Sequence, residues 1–99
     1  MTTYRIEFTD DAKKDLTYFT AFERKAILDQ VSAQLGQEPF MLTRNRKVLR
    51  ENPLAPWVLR IGKYRVFYQV EKRSSRVSIV AIGFKAHNLL YIRGKEIRI

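Results

Sequence analysis

Between Trp57 and Glu71 the chain reads WVLRIGKYRVFYQVE, two runs of β-branched and aromatic residues joined by a Gly-Lys step. Such runs favour extended backbone, and the Gly62-Lys63 pair between them predicts a hairpin. Strand side chains alternate between faces, so Tyr64, Val66, Tyr68 and Val70 fall on one side and Arg65, Phe67, Gln69 and Glu71 on the other. Leu59 and Ile61 then join the apolar side, and Arg60 emerges beside Arg65. Two guanidiniums opposed on neighbouring strands repel each other. The pair therefore reads either as the two jaws of an anion site or as two solvated surface arginines.

The flanks supply the remaining elements. Thr3 to Phe8 alternates Tyr4, Ile6 and Phe8 with polar residues and predicts a first strand. Thr9 is placed to cap a short helix with Asp10 and Asp11 in its first turn and Ala12, Leu16 and Phe19 at helical spacing. Thr20-Ala21-Phe22-Glu23 matches a capping box, and Ile27, Leu28, Val31 and Leu35 form an apolar stripe that stops at Gly36, a candidate C-terminal cap. Residues 37–56 show no period, hold all three prolines and read as a basic loop. Arg76 to Phe84 is apolar on both faces, the pattern of a central strand, with Gly83 marking a bulge or a close backbone approach. Beyond it Lys85, His87, Asn88 and Tyr91 form a polar cluster past a strand end, and Ile92 to Ile99 fits either a last strand or a short arm. These elements predict an α+β fold: a twisted antiparallel sheet of about four strands packed against an N-terminal helical hairpin, one domain over residues 1–99.

Charge changes this picture by its placement. Nineteen Lys and Arg against ten Asp and Glu give a net charge of +9. Residues 1–40 hold five basic and seven acidic side chains, whereas residues 41–99 hold fourteen basic and three acidic, a balance of plus eleven. Segregation of this kind predicts an anionic partner for the second part of the chain. Cysteine is absent and no run nears the roughly 18 apolar residues of a membrane span, so no disulfide frame or membrane contact is expected. The opening residues MTTYRIEFTDD lack the basic-then-apolar order of a secretion signal, which predicts a cytoplasmic location.

Candidate chemistry narrows quickly. One His and three acids after residue 40 do not make a metal site, and glycines at 36, 62, 83 and 94 are too scattered for a phosphate-cradling loop. No cofactor is expected. Basic residues, one His and several Tyr remain, a set suited to metal-free phosphodiester chemistry on RNA, in which cations stabilise the transition state and a side chain moves protons. Arg44, Arg46, Lys47 and Arg50 can track a phosphate backbone, with Lys63 at the hairpin turn, or can simply be solvated. His87 titrates near neutrality and is either a catalytic base or a loop histidine bonded to backbone. Trp57 is either a core anchor or a base-stacking platform.

The order strand, two helices, basic loop, then LRIGKYRVFYQV, a polar turn and VSIVAIGFKAHNLLY resembles the RelE/ParE superfamily of toxins from bacterial toxin-antitoxin systems. Its most specific part is Gly-x-Tyr-Arg-Val-x-Tyr at 62–68, followed by Ile82-Gly83 and Tyr91. The resemblance implies the α+β fold above and, in the RelE branch, metal-independent cleavage of messenger RNA in the ribosomal A site, which inhibits translation. It implies that Arg65 contacts the scissile phosphate, that Arg60 supplies a second cation, that Lys85 stands where an arginine is usual, and that Tyr91 transfers a proton or stacks on a base. Val58 stands where some members carry a lysine. The ParE branch, which poisons DNA gyrase, shares the fold, and an inactive antitoxin-binding homologue is a third reading. The expected partners are mRNA, the ribosome and a cognate antitoxin whose acidic, partly disordered segment folds over the basic face.

Overall fold

The computed structural model describes residues 3–98, with seven strands and two helices in the order β1 (Arg5–Phe8), α1 (Asp10–Leu16), α2 (Ala21–Leu35), β2 (Arg46–Val48), β3 (Trp57–Ile61), β4 (Tyr64–Glu71), β5 (Arg76–Ala86), β6 (Leu89–Ile92) and β7 (Lys95–Ile97). The strands form one sheet, β2-β3-β4-β5-β6-β7, in which all neighbours on this path are antiparallel. β1 joins from the side and runs parallel to β5. The α+β class is as expected, but seven strands replace about four, because β2 and β7 span three residues each and are too short to show a period.

Both helix starts follow their capping residues. The Thr9 hydroxyl accepts the Ala12 N–H, and Thr20 and Glu23 form a reciprocal capping box. α1 ends at Leu16, so Phe19 lies in the connection and is buried there, outside any helical stripe. Ile27, Val31 and Leu35 are the buried face of α2, whereas Leu28 is exposed. Gly36 ends α2 at φ −71°, a right-handed conformation, so no left-handed cap forms.

The helices cover the sheet face built from Leu59, Val66, Tyr68, Val77, Ile79 and Ile82, with Phe84 at its edge. A register shift places Phe67 opposite Ala81 but Tyr68 opposite Ile79, which makes Val80 an extra residue. That bulge reverses the alternation of β5: Val77 and Ile79 point to the helices before it, Ile82 and Phe84 after it. The bulge thus sits at Val80. Gly83 answers to the other expectation, close approach, since a Cβ there would overlap the Tyr91 carbonyl oxygen and lie 2.8 Å from Ile92 Cγ1.

On the edge of β5 away from β4, β1 pairs with Arg76–Ile79 and β6 with Phe84–Ala86, leaving a gap between them. α1 fills it. The Thr9 N–H donates to the Ile79 carbonyl, the Thr9 hydroxyl to the Val80 carbonyl, and the Ile82 N–H donates to Asp15 Oδ2 at 2.9 Å. A fully buried carboxylate is thereby bonded to backbone that the strands leave unpaired.

The other face carries a second, smaller core of Ala55, Val58, Phe67, Ala81, Leu90 and Ile92. Phe67, expected on the polar side, is 2% exposed because the 49–56 loop and the β6–β7 hairpin fold over that face. The basic loop is also partly ordered as β2, paired to β3. Through Ile97 the tail forms a hairpin, Ile99 lying outside the described residues: His87-Asn88 joins β5 to β6 and Arg93-Gly94 joins β6 to β7, with both residues of each turn at positive φ. Lys85 consequently lies within β5, not beyond its end.

Candidate functional site

Direct pairing of Arg60 with Arg65 and of Leu59 with Val66 in the β3–β4 register sends both arginines away from the helices. They open into a cleft of about 660 Å³ on the outer sheet face, lined also by Lys47, Lys85, Asn88 and Arg98. Its floor is apolar: Val58 and Phe67 at the centre, Leu49 on the loop side, Leu90 and Ile97 on the hairpin side. Among the described residues, the only carboxylate in its lining is Glu96, which is bound by Arg98 at 3.0 Å.

Among the described residues, Lys47, Arg60, Arg65 and Lys85 form no salt bridge. Arg65 Nη1 donates to the carbonyls of Gly62 at 2.7 Å and Tyr64 at 2.8 Å, which fixes the fork against the hairpin turn. Gly62, at φ 56°, is what allows that turn to present its carbonyl. Burial, and secondarily the Arg60 charge, push the Arg65 pKa below the ordinary arginine value. The protein therefore holds a partly desolvated cation beside a like charge, an arrangement that an entering anion relieves.

The sequence-derived residues divide. Arg60, Arg65 and Lys85 meet in the cleft, and Lys47 of the basic loop joins them. Tyr91 does not. It pairs with Phe84 and stacks on that ring at 5.4 Å on the helix side of the sheet, while its neighbours Leu90 and Ile92 point into the second core. His87 is exposed at a turn tip and is absent from the cleft lining. Arg46 is structural: its Nη1 donates to the Gln34 and Glu38 carbonyls, securing the end of α2. Lys63 leans toward the helices, 3.7 Å from Glu23, to which the Tyr64 hydroxyl donates a hydrogen bond at 2.9 Å. Arg44 is exposed in the loop and Arg50 borders a smaller hollow of about 290 Å³ formed with residues 49–56 and Gln69. Trp57 stacks on Tyr68 in the main core and offers no platform to the cleft.

Asn88, part of the polar cluster read from the sequence, lines the cleft, whereas sequence reasoning missed the rest of the hairpin wall, Leu90, Ile97 and Arg98. The available signal was Arg93-Gly94, a two-residue step between short apolar runs. In chemical terms the cleft can neutralise several phosphates, but among the described residues the lining groups that could exchange a proton with a substrate are Lys47, Lys85 and the Arg98-bound Glu96.

No protein of curated function matches the chain. Among solved structures it is similar to the RelBE2 toxin-antitoxin complex of Mycobacterium tuberculosis, at 27% identity and TM-score 0.75, covering 87% of this chain and 95% of that one. It shares a fold with the archaeal RelE-RelB complex of Pyrococcus horikoshii, at 20% identity and TM-score 0.68 over 87% of this chain and 99% of that one. The same holds for the free state of a double arginine-to-alanine mutant of Escherichia coli toxin RelE, at 18% identity and TM-score 0.58 over 87% and 86%. The family model for the ParE toxin of type II toxin-antitoxin systems, parDE, matches residues 6–89, from the first strand to the start of β6. The chain belongs to that family of toxins, within the RelE/ParE superfamily.

Proposed function

We propose that this toxin is an mRNA endoribonuclease that binds the RNA backbone in the outer-face cleft and cuts it without a metal, in the cytoplasm, on translating ribosomes. The observation that carries the reading is the convergence of Lys47, Arg60, Arg65 and Lys85 on one cleft with no salt bridge to the described residues. In the reaction the 2′-hydroxyl oxygen attacks the adjacent phosphorus and the P–O5′ bond breaks. Arg65, held by two backbone carbonyls, and Arg60 opposite it stabilise the charge on the phosphoryl oxygens as it grows. The Lys85 ammonium donates a proton to the leaving O5′, and the 2′-hydroxyl proton passes to water. Tyr91 has no part in this step, because its ring lies on the other side of the sheet.

The physiological partner in this reading is an antitoxin, in keeping with two similar structures that are toxin-antitoxin complexes; an acidic segment folding over the same cations would match the charge of the cleft. A second reading, inhibition of DNA gyrase, is favoured by two observations: the matching family model is that of the ParE toxin, and no tyrosine or histidine lines the cleft. A paired assay separates them. Purified protein is added to translating ribosomes with a defined message, and separately to gyrase with relaxed plasmid. Message cleavage with unimpaired supercoiling supports the nuclease; the reverse supports the gyrase reading.

A further inference from the structure

The hairpin turn between β6 and β7 places Arg93 at φ 51°. Side chains with a Cβ resist this left-handed conformation, and hairpin turns usually put Asn, Asp or Gly there. Arginine has no local reason to occupy it. Its side chain supplies one: Arg93 Nε lies 3.1 Å from Asp15 Oδ1, and Nη1 lies 3.3 Å from Asp11 Oδ1. Asp15 is fully buried, its Oδ2 is taken by the Ile82 N–H at the β5 gap, and no donor reaches Oδ1 with hydrogen-bond geometry. Arg93 is the only cation within salt-bridge distance of that carboxylate among the described residues. A buried carboxylate and a strained arginine thus answer each other across three elements, α1, β5 and the tip of the terminal hairpin.

The location has a consequence for the cleft. The β6–β7 hairpin contributes Leu90, Ile97 and, just beyond β7, Arg98 to the lining, yet β6 is paired to β5 through only Phe84–Ala86. At Gly83 the two strands approach too closely to admit a Cβ, and Leu90 of β6 pairs with Ile97 of β7, so a shift of β6 moves both lining residues. We propose that the Asp15–Arg93 pair is a latch by which α1, on one face of the sheet, positions the hairpin wall of the anion cleft on the other. Both residues are positioning residues; neither faces the cleft. The consequence for nucleic-acid binding rests on the function proposed above, whereas the mechanical claim does not.

Three variants test it. Arg93→Asn suits the turn at least as well as arginine and removes the guanidinium. Amides of Leu90, Ile92 and Ile97 then exchange with solvent about tenfold faster relative to those of Val66 and Tyr68, and affinity for a fluorescein-labelled single-stranded oligoribonucleotide falls by about fivefold. Arg93→Lys restores part of both. The double variant Asp15→Asn/Arg93→Asn leaves no uncompensated buried charge, so its denaturation midpoint recovers while hairpin exchange and RNA affinity do not. Recovery of RNA affinity together with the midpoint would overturn the proposal, since the pair would then be stabilising and nothing more. Wild-type exchange in Arg93→Asn would overturn it equally. If the unsubstituted protein fails to bind the oligoribonucleotide, the nuclease reading falls, and the exchange comparison still decides the latch by itself.

Discussion

Replacing Arg65 with methionine should make the protein more stable and nearly inactive. Arg65 and Arg60 are directly paired on adjacent antiparallel strands, and like charges so placed destabilise by about 0.2–1 kcal/mol. Methionine keeps an unbranched stem over Phe67 and the apolar floor, so little packing is lost. The bonds from Nη1 to the Gly62 and Tyr64 carbonyls disappear, but Gly62 is exposed in the turn and its carbonyl can return to water, which limits that loss. The expected net is a gain of about 0.5 kcal/mol, which for a chain of this size raises the melting temperature by about 2–4 °C. Cleavage should fall by about 100-fold or more, the effect of removing one preorganised donor that acts on transition-state charge. Thermal unfolding and single-turnover cleavage on the same preparations give both numbers. A variant that melts lower than wild type and cuts within about threefold of its rate would refute the reasoning, because Arg65 would then be a structural arginine.

Arg46→Met should behave in the opposite sense, losing about 1–2 kcal/mol by urea denaturation while cleavage is retained, since its guanidinium holds the Gln34 and Glu38 carbonyls. Tyr91→Phe should leave single-turnover cleavage unchanged, because the hydroxyl lies on the helix side of the sheet; a loss of tenfold or more would put that hydroxyl back in the reaction. With four cations in the cleft that form no salt bridge among the described residues, the logarithm of RNA affinity should fall with the logarithm of salt concentration at a slope of about −3, and Lys47→Gln should make that slope shallower by roughly 0.7. Glu23 is held below the usual glutamate pKa by the Thr20 N–H and then the Tyr64 hydroxyl. Its contribution is therefore present above pH 4.5 and lost as pH falls through the lower folded value, so Glu23→Gln should flatten the acid limb of urea midpoints measured below pH 4.5.

How much of this was legible in the sequence depends on the length over which a residue pattern persists. The β3–β4 hairpin and the outward pair Arg60 and Arg65 followed from fifteen consecutive residues, rich in β-branched and aromatic side chains, around a Gly-Lys turn. Both N-terminal helix caps followed from local hydrogen-bonding chemistry. β2 was hidden because three residues carry no period and because a charge run looks the same in a loop and on an edge strand. The face of Tyr91 was not readable, since it depends on where the β5–β6 turn falls: with His87-Asn88 as a two-residue turn, Leu90 pairs with Lys85 and Tyr91 with Phe84. A one-residue change in that register would have sent the tyrosine into the cleft. Asp15 gave no signal either, for its burial is set by a gap between two strands far apart in sequence. Arg46 and Lys47 show the same limit at adjacent positions: one secures a helix end and the other lines the cleft because strand neighbours face opposite ways.

If the cationic cleft promotes attack of a ribose 2′-hydroxyl on its own phosphate, as proposed, the ends of the cut RNA report on it most directly. Message incubated with translating ribosomes and the purified toxin should break at discrete positions, leaving a 2′,3′-cyclic phosphate on one fragment and a 5′-hydroxyl on the next. Arg60→Gln/Arg65→Gln protein should give neither fragment. Intact message at toxin concentrations that arrest growth, or fragments bearing a 5′-phosphate, would contradict the account.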